Sequence, residues 1–198
     1  MGQASRTRAG EGANLMEKGI ILVAGVSGVG KTTLCRRLAT AEPGIHHLVA
    51  SSFVDGKRDV DQLKLISRIR AAADKLEGAC LVDGHLTLDG SNVPLEAIAA
   101  LAPEGIIVVT GSSAEIAARR GADVTRSRPP ANEDELCHTQ DAEISWAREL
   151  ALAVSVPFTA IDSQDEDGFR TKVYQLLGMV CPQGESGSLN RYSARLGT

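Results

Sequence analysis

The sequence has few aromatic residues and no long apolar run. Phe, Trp and Tyr together make up 3% of the 198 residues. No stretch approaches the roughly 18 uninterrupted apolar residues that a transmembrane helix needs. The N-terminal segment is polar and lacks the apolar region of a secretory signal. We therefore expect no membrane association and a cytoplasmic location.

Cysteine spacing and net charge exclude two further classes. Four cysteines, Cys35, Cys80, Cys137 and Cys181, occur without a C-x-x-C pair. This spacing predicts neither a zinc site nor a disulfide framework, so we expect buried free thiols. The formal net charge of -4 provides no general surface for nucleic acid. Generic nucleic-acid binding is therefore not expected.

The composition divides the chain into one domain and two tails. A chain of 198 residues is long enough to bury a single substantial core. Residues 1–18 and 181–198 are rich in Gly, Ser and charged residues, so they cannot bury enough apolar surface to offset the entropy of ordering. We predict two flexible tails that would order only against a protein partner, and one globular domain over residues 19–180.

Within the predicted domain, short apolar runs alternate with segments of helical period. This alternation predicts βαβ units and a parallel sheet with helices on both faces, the three-layer α/β class. The first run, residues 19–25, is continuously apolar, as expected of a strand buried on both faces. The predicted strands are 19–25, 47–51, 79–83, 105–110 and 157–162. The predicted helices are 31–40, 60–76, 95–101, 114–120, 133–154 and 166–179.

A complete Walker A motif lies between the first strand and the first helix. Its pattern is G-x-x-x-x-G-K-T, and the strand and helix flanks are the context that this motif requires. The glycines allow backbone N–H groups to approach phosphates, and the positive end of the following helix favours an anion. Lys31 is expected to contact the β- and γ-phosphates, and the Thr32 hydroxyl to bind Mg²⁺. The predicted ATP-binding residues are Gly25, Val26, Ser27, Gly28, Val29, Gly30, Lys31, Thr32 and Thr33.

A carboxylate that completes the metal site is predicted at Asp83. It ends the apolar run of residues 79–82, where a parallel strand beside the first would direct it toward Thr32. The alternative is an aspartate that only caps the following turn.

An arginine-rich segment over residues 119–132 is predicted to act as a lid. Phosphoryl transfer requires positive charge around the equatorial oxygens and exclusion of water, and several guanidinium groups would supply both. The alternative is a solvated basic loop. With Lys31, the predicted catalytic residues are Arg120, Arg126 and Arg128.

Several motifs together resemble the adenylate kinase superfamily of nucleoside monophosphate kinases, and most of all its short archaeal type. The motifs are Gly25-Val-Ser-Gly-Val-Gly-Lys-Thr-Thr33, Val82-Asp-Gly-His-Leu-Thr87, residues 101–109 and the segment from Glu115 to Arg128. The resemblance implies transfer of the γ-phosphate of Mg·ATP to a nucleoside monophosphate. It also implies a parallel sheet of strand order 2-3-1-4-5, an acceptor beside Asp83, Gly84 and His85, and adenine near Asp162.

The acceptor region departs from the family pattern, because residues 52–78 leave room for little more than one helix. Arg58 is the first candidate for the acceptor phosphate. Asp55 would serve as a base if the acceptor were the hydroxyl of a small molecule or nucleoside, or it could be a turn residue. His85 could touch the acceptor or be a structural histidine. A nucleotide-dependent switch or assembly subunit remains the alternative from outside enzyme chemistry.

Four other residues, two histidines, one arginine and the single tryptophan, have predictions of their own. His46 and His47 precede the second predicted strand without a carboxylate or cysteine at metal spacing, so no ligand role is predicted for them. Arg148, on the helix after the lid, is a distant candidate for contact with the phosphates. Trp146, the single tryptophan, is expected to pack in the core.

Overall fold

The computed structural model describes residues 18–54, 61–88, 91–122 and 132–179. Apart from Lys18, the predicted tails lie outside the described residues, and so does residue 180 at the end of the predicted domain. Four predicted site residues also lie outside them: Asp55, Arg58, Arg126 and Arg128.

The strands form a parallel sheet and a short hairpin. They are β1 (Gly19–Ala24), β2 (Ile45–Val49), β3 (Ala79–Asp83), β4 (Thr87–Leu88), β5 (Ser91–Asn92), β6 (Gly105–Thr110) and β7 (Phe158–Asp162). The sheet has the order β2-β3-β1-β6-β7, and every pair in it is parallel. Counted without the β4–β5 hairpin, which was not predicted, this is the order 2-3-1-4-5. The predicted fold class is confirmed.

The described residues contain six α-helices. They are α1 (Lys31–Ala41), α2 (Gln62–Ala73), α3 (Leu95–Leu101), α4 (Ser113–Ala122), α5 (Glu133–Ala153) and α6 (Glu166–Leu176). A 3-10 turn follows β2 at Ala50–Phe53. Helix α2 begins later than predicted because Asp61 caps it, accepting a hydrogen bond of 3.1 Å from the Lys64 N–H. None of the described helices is long and apolar enough to cross a membrane.

The sheet separates two apolar cores. Ile20 and Leu22 of β1 face one core, to which α2, α3 and α5 contribute, whereas Ile21 and Val23 face the other, built largely with α1, α4 and α6. Alternate residues of a strand point to opposite faces, so a continuously apolar strand is buried on both. Trp146 packs against the first core, as predicted, and its indole N–H donates to a backbone carbonyl at 3.1 Å.

The thiols of Cys35, Cys80 and Cys137 differ in burial, and Cys181 lies outside the described residues. Cys35 and Cys80 are buried free thiols, as expected, but Cys137 is exposed on α5. The prediction of burial was therefore wrong for Cys137, because it lies on the solvent side of a helix whose buried positions include Leu136 and Glu143.

Candidate active site

Three glycines give the loop between β1 and α1 its shape. The φ angles of Gly25, Gly28 and Gly30 are 138°, 85° and 120°, a backbone region that other residues rarely adopt. A Cβ atom on Gly25 would also overlap the carbonyl oxygen of Val109. The loop therefore packs directly against β6, and this conformation requires glycine.

The start of α1 presents unused N–H donors. The backbone N–H groups of Lys31 and Thr32 donate to no backbone acceptor within the described residues, as is usual in the first turn of a helix. Gly30 precedes the helix without a side-chain cap. An anion such as a phosphate is the natural partner for these donors.

Lys31 lies folded over this loop. Its Nζ donates to the carbonyl oxygens of Gly25 at 2.7 Å and Val26 at 3.1 Å, and the side chain is only 6% exposed. Burial lowers the pKa of Lys31, while the carboxylates of Asp83 and Glu143 oppose that shift. A cation with so little water around it interacts strongly with a bound anion.

Asp83 and Thr32 meet at the edge of the loop. Strand β3 pairs with β1 so that Asp83 lies opposite Val23. The Thr32 hydroxyl donates to Oδ2 of Asp83 at 2.5 Å. Burial alone would raise the pKa of Asp83, but its contacts with His47, Lys31 and Thr32 outweigh burial and hold the pKa below its usual value. The two oxygens are hard donors, which fit Mg²⁺.

His47 also reaches Asp83, which the sequence did not indicate. Strand β2 begins at Ile45, earlier than predicted, so His47 lies inside the strand and pairs with Leu81. Its Nε2 is 3.5 Å from Oδ2 of Asp83, and both side chains are largely buried. The carboxylate is therefore flanked by a hydroxyl and an imidazole.

Two arginines near the end of α4 donate hydrogen bonds to carbonyl oxygens of the phosphate loop. Arg119 donates to the Val29 carbonyl oxygen at 2.7 Å, and Nε of Arg120 donates to the Ser27 carbonyl oxygen at 2.8 Å. The part of the predicted lid that the structure describes is thus already in contact with the loop.

Arg148 does not reach the phosphate loop. Its guanidinium lies 5.3 Å from the ring centroid of Phe158, the first residue of β7. The phosphate loop follows the end of parallel strand β1, so Arg148 lies at the opposite edge of the sheet. Its proposed contact with phosphates was wrong.

A cleft of about 930 Å³ extends from the phosphate loop toward β2 and α2. Its loop end includes Lys31, Thr32, Asp83 and Arg119. Its far end is lined mainly by small and apolar side chains and by two residues of the loop after β3: Val49, Ala50, Ser51, Val54, Gln62, Leu65, Gly84 and His85. The structure thus brings His85 and Asp83 to one cleft.

The turn after β7 lies on another side of the phosphate loop. A Cβ atom on Gly30 would stand 3.4 Å from Cβ of Ser163, the residue after Asp162. Asp162 itself accepts a hydrogen bond of 2.8 Å from the Gln164 N–H. The position suits the implied contact with adenine, which stays a prediction.

Glu143 is a site residue that the sequence analysis missed. It is 1% exposed, and its Oε1 accepts from the N–H groups of Gly25 at 3.1 Å and Leu86 at 2.7 Å. Its Oε2 accepts from the Thr87 N–H at 2.8 Å and from the Thr87 hydroxyl. One turn earlier, Gln140 bonds the N–H and the carbonyl oxygen of Gly111 at 3.0 and 3.2 Å.

The available signal for Glu143 was its position on α5. Leu136, Ala147 and Leu150 form a buried stripe along this helix, and Glu143 lies on the stripe at helical spacing. A polar residue on an apolar stripe indicates a specific buried partner.

Comparison with known proteins finds one family, two relatives of similar sequence and a solved structure of similar fold. A family model described as an AAA domain matches residues 24–137. The adenylate kinases of Thermococcus onnurineus (strain NA1) and Pyrococcus furiosus (strain ATCC 43587 / DSM 3638 / JCM 8422 / Vc1) are 23% and 24% identical to this chain over 185 residues, covering 81% of it and 94% of each relative. A gluconokinase from Sinorhizobium meliloti 1021 superposes with a TM-score of 0.53 at 18% identity, covering 81% of this chain and 91% of that one.

These matches test some of the predictions more specifically than others. The resemblance to adenylate kinases and the prediction of a P-loop kinase are confirmed. The similarity to the gluconokinase supports the fold alone.

Proposed function

The chain belongs to the family of AAA domains, whose model matches more than half of its residues, and on that premise we propose that it transfers the γ-phosphate of Mg·ATP to a nucleoside monophosphate. The observation that carries the proposal is the cleft, in which the phosphate loop, the Thr32–Asp83 pair and an acceptor-sized space are continuous. Its volume of about 930 Å³ lies near the upper end of the roughly 300–1,000 Å³ typical of small-molecule pockets. Such a volume accommodates a second substrate beside the phosphates.

At the donor end, the chain binds and orients the triphosphate. The N–H groups at the start of α1, which have no backbone acceptor among the described residues, bind phosphate oxygens, and the Lys31 ammonium neutralises their charge. The hydroxyl of Thr32 and the carboxylate of Asp83 would hold Mg²⁺, which when bound offsets the negative charge of the β- and γ-phosphates. Arg119 and Arg120, which contact the phosphate loop, are proposed to stabilise the charge on the transferring group.

At the acceptor end, the described residues favour a phosphate nucleophile. A hydroxyl acceptor needs a carboxylate as base, whereas a monophosphate oxygen is already ionised. Among the described residues that line the cleft, Asp83 is the one carboxylate, and its lowered pKa and bond to Thr32 make it a poor base. The apolar far wall suits the flat face of a nucleobase better than a polyol.

Incubation with labelled ATP, Mg²⁺ and pooled acceptors, followed by identification of the labelled product, tests the proposal. The expected product is a nucleoside diphosphate. If the labelled product is a phosphorylated sugar or nucleoside, the protein is instead a kinase that acts on a hydroxyl group. Asp55→Asn should then abolish turnover. Tight ATP binding without any labelled product would support the nucleotide-dependent switch.

Lys31→Met should abolish turnover while the protein remains folded. Lys172→Met is the matched control, because Lys172 is partly exposed on α6 and bonds only Gln175 among the described residues. Full activity of the Lys31 variant would exclude the phosphate loop as the catalytic site.

A further inference from the structure

Glu143 connects two loops that serve different substrates. One carboxylate oxygen binds both Gly25, at the start of the phosphate loop, and Leu86, in the loop that follows Asp83. The other oxygen binds Thr87 through its N–H and its hydroxyl. The donor end of the cleft and the segment that carries Gly84 and His85 therefore share one buried anchor.

Packing alone does not require a carboxylate at position 143. Burying a carboxylate costs several kcal/mol unless its oxygens are fully hydrogen-bonded, and an apolar side chain could fill the same space. Here four donors converge on the two oxygens, and the distances to Leu86 and Thr87 are those of charge-assisted hydrogen bonds. Such bonds hold backbone groups rigidly, as a preorganised catalytic site requires.

From this geometry we propose that Glu143 is a positioning residue that sets the acceptor loop, residues 84–87, relative to the phosphate loop. The proposal rests on the function proposed above, since it assigns the acceptor to that loop. Gln140 supports the same role one turn earlier, by fixing Gly111 after β6. One face of α5 thus holds the loops that follow β1, β3 and β6.

Glu143→Gln separates the two halves of this contact. The Gln oxygen can accept from Gly25 and Leu86, and the NH₂ group then faces Thr87. The Thr87 hydroxyl can rotate to accept, but the Thr87 N–H meets another donor and loses its bond. The variant is therefore expected to loosen the acceptor loop while it keeps the phosphate loop in place.

Three measurements on the full-length protein test this expectation. Amide hydrogen exchange should accelerate at Thr87 by roughly tenfold or more, as expected for loss of a bond to a charged group, and much less at Gly25. Binding of Mg·ATP alone should weaken by less than about threefold. In the transfer reaction kcat should fall by about tenfold or more, or the acceptor KM rise by as much. The first two measurements require no acceptor, so they stand even if phosphoryl transfer fails to appear.

Leu150→Ala is the matched control. Leu150 is buried on the same helix, so its truncation destabilises the fold through a cavity without touching either loop. This control should accelerate exchange generally and leave kcat of the folded fraction unchanged. If Glu143→Gln behaves like Leu150→Ala, Glu143 is only structural and the proposal is wrong.

Thr87→Val carries the same test if Glu143→Gln does not fold. It removes only the hydroxyl donor to Oε2 and retains the backbone donors. A selective loss of transfer with ATP affinity retained would support the proposal. Wild-type kcat and acceptor KM in this variant would overturn it.

Discussion

The hydroxyl of Thr32 donates a hydrogen bond of 2.5 Å to the carboxylate of Asp83, although the two residues are 51 positions apart in sequence. Sheet register brings them together, because β3 lies beside β1 and places Asp83 opposite Val23. The donor site is therefore a product of the sheet as well as of the phosphate loop.

Replacement of Asp83 by Asn should disable the proposed metal site. The amide keeps the shape but removes the negative charge, so we expect weaker Mg²⁺-dependent ATP binding. Loss of several kcal/mol of transition-state stabilisation corresponds to a fall in kcat of roughly 100-fold or more. Asp74→Asn is the surface control, because Asp74 pairs with Arg70 in solvent. Steady-state kinetics over a range of Mg²⁺ concentrations measure the effect, and an unchanged kcat would contradict it.

Acid should remove the stabilisation that ionised Asp83 provides. Burial acts to raise its pKa, but His47, Lys31 and Thr32 together hold the folded pKa below the ordinary value of 3.8. A group with a depressed folded pKa stabilises the native state fully above its unfolded pKa, and that stabilisation is lost as pH falls through the folded pKa. Relative to Asp83→Asn, the wild-type advantage should persist down to pH 3.8 and shrink below it. Urea denaturation of both proteins across acidic pH tests the sign, and an advantage that grew on acidification would contradict it.

Gly25→Ala should cost both stability and nucleotide binding. Alanine would be strained at a φ of 138° and would overlap the Val109 carbonyl oxygen. Left-handed strain alone costs about 1–3 kcal/mol, and each kcal/mol lowers Tm by about 2–4 °C in a chain of this size. Gly78→Ala is the control, since it has a φ of 100° and overlaps the Gly44 carbonyl oxygen away from the site. Thermal unfolding should show a loss in both variants, and ATP binding should be lost only in Gly25→Ala. ATP binding equal in both would refute the role of Gly25.

Arg120→Lys should lower kcat although the charge is retained. The Nε of Arg120 donates to the Ser27 carbonyl oxygen, and a lysine ammonium cannot reproduce the planar, multidentate geometry of the guanidinium group. We expect a fall of roughly tenfold or more, the scale of a transition-state contact. Arg37→Lys is the control, because Arg37 forms an exposed ion pair with Glu166. Equal kcat values for the two variants would show that Arg120 does not contact the transferring group.

The strands of the parallel sheet were predicted well because their apolar runs are continuous, and the helices were predicted from the segments of helical period between those runs. Residues 19–24 and 105–110 are buried on both faces, so their pattern had one interpretation. The β4–β5 hairpin was not predicted because each strand has two residues and offers no alternation to detect.

The candidate site was predictable where a local motif specifies chemistry and not where tertiary contacts do. The residues from Gly25 to Thr32 form a motif with a known mechanism, and Asp83 follows from the order of strands. His47 and Glu143 were missed because their roles depend on strand register and helix rotation. On a helix rich in acidic residues, the one local sign that Glu143 is buried is its place on the apolar stripe, and that sign does not identify its partners.

The bond between Gly25 and Glu143 spans 118 residues, which bears on the order in which the protein matures. During synthesis the phosphate loop emerges before Asp83, which follows more than 50 residues later, and Glu143 emerges later still. Contacts of such long range form late in folding, because closing the intervening loops costs conformational entropy. A nascent chain that ends before α5 therefore contains the whole Walker motif but lacks the anchor of its first glycine. Nucleotide affinity is therefore expected to increase only after α5 has been synthesised and Glu143 has bonded Gly25.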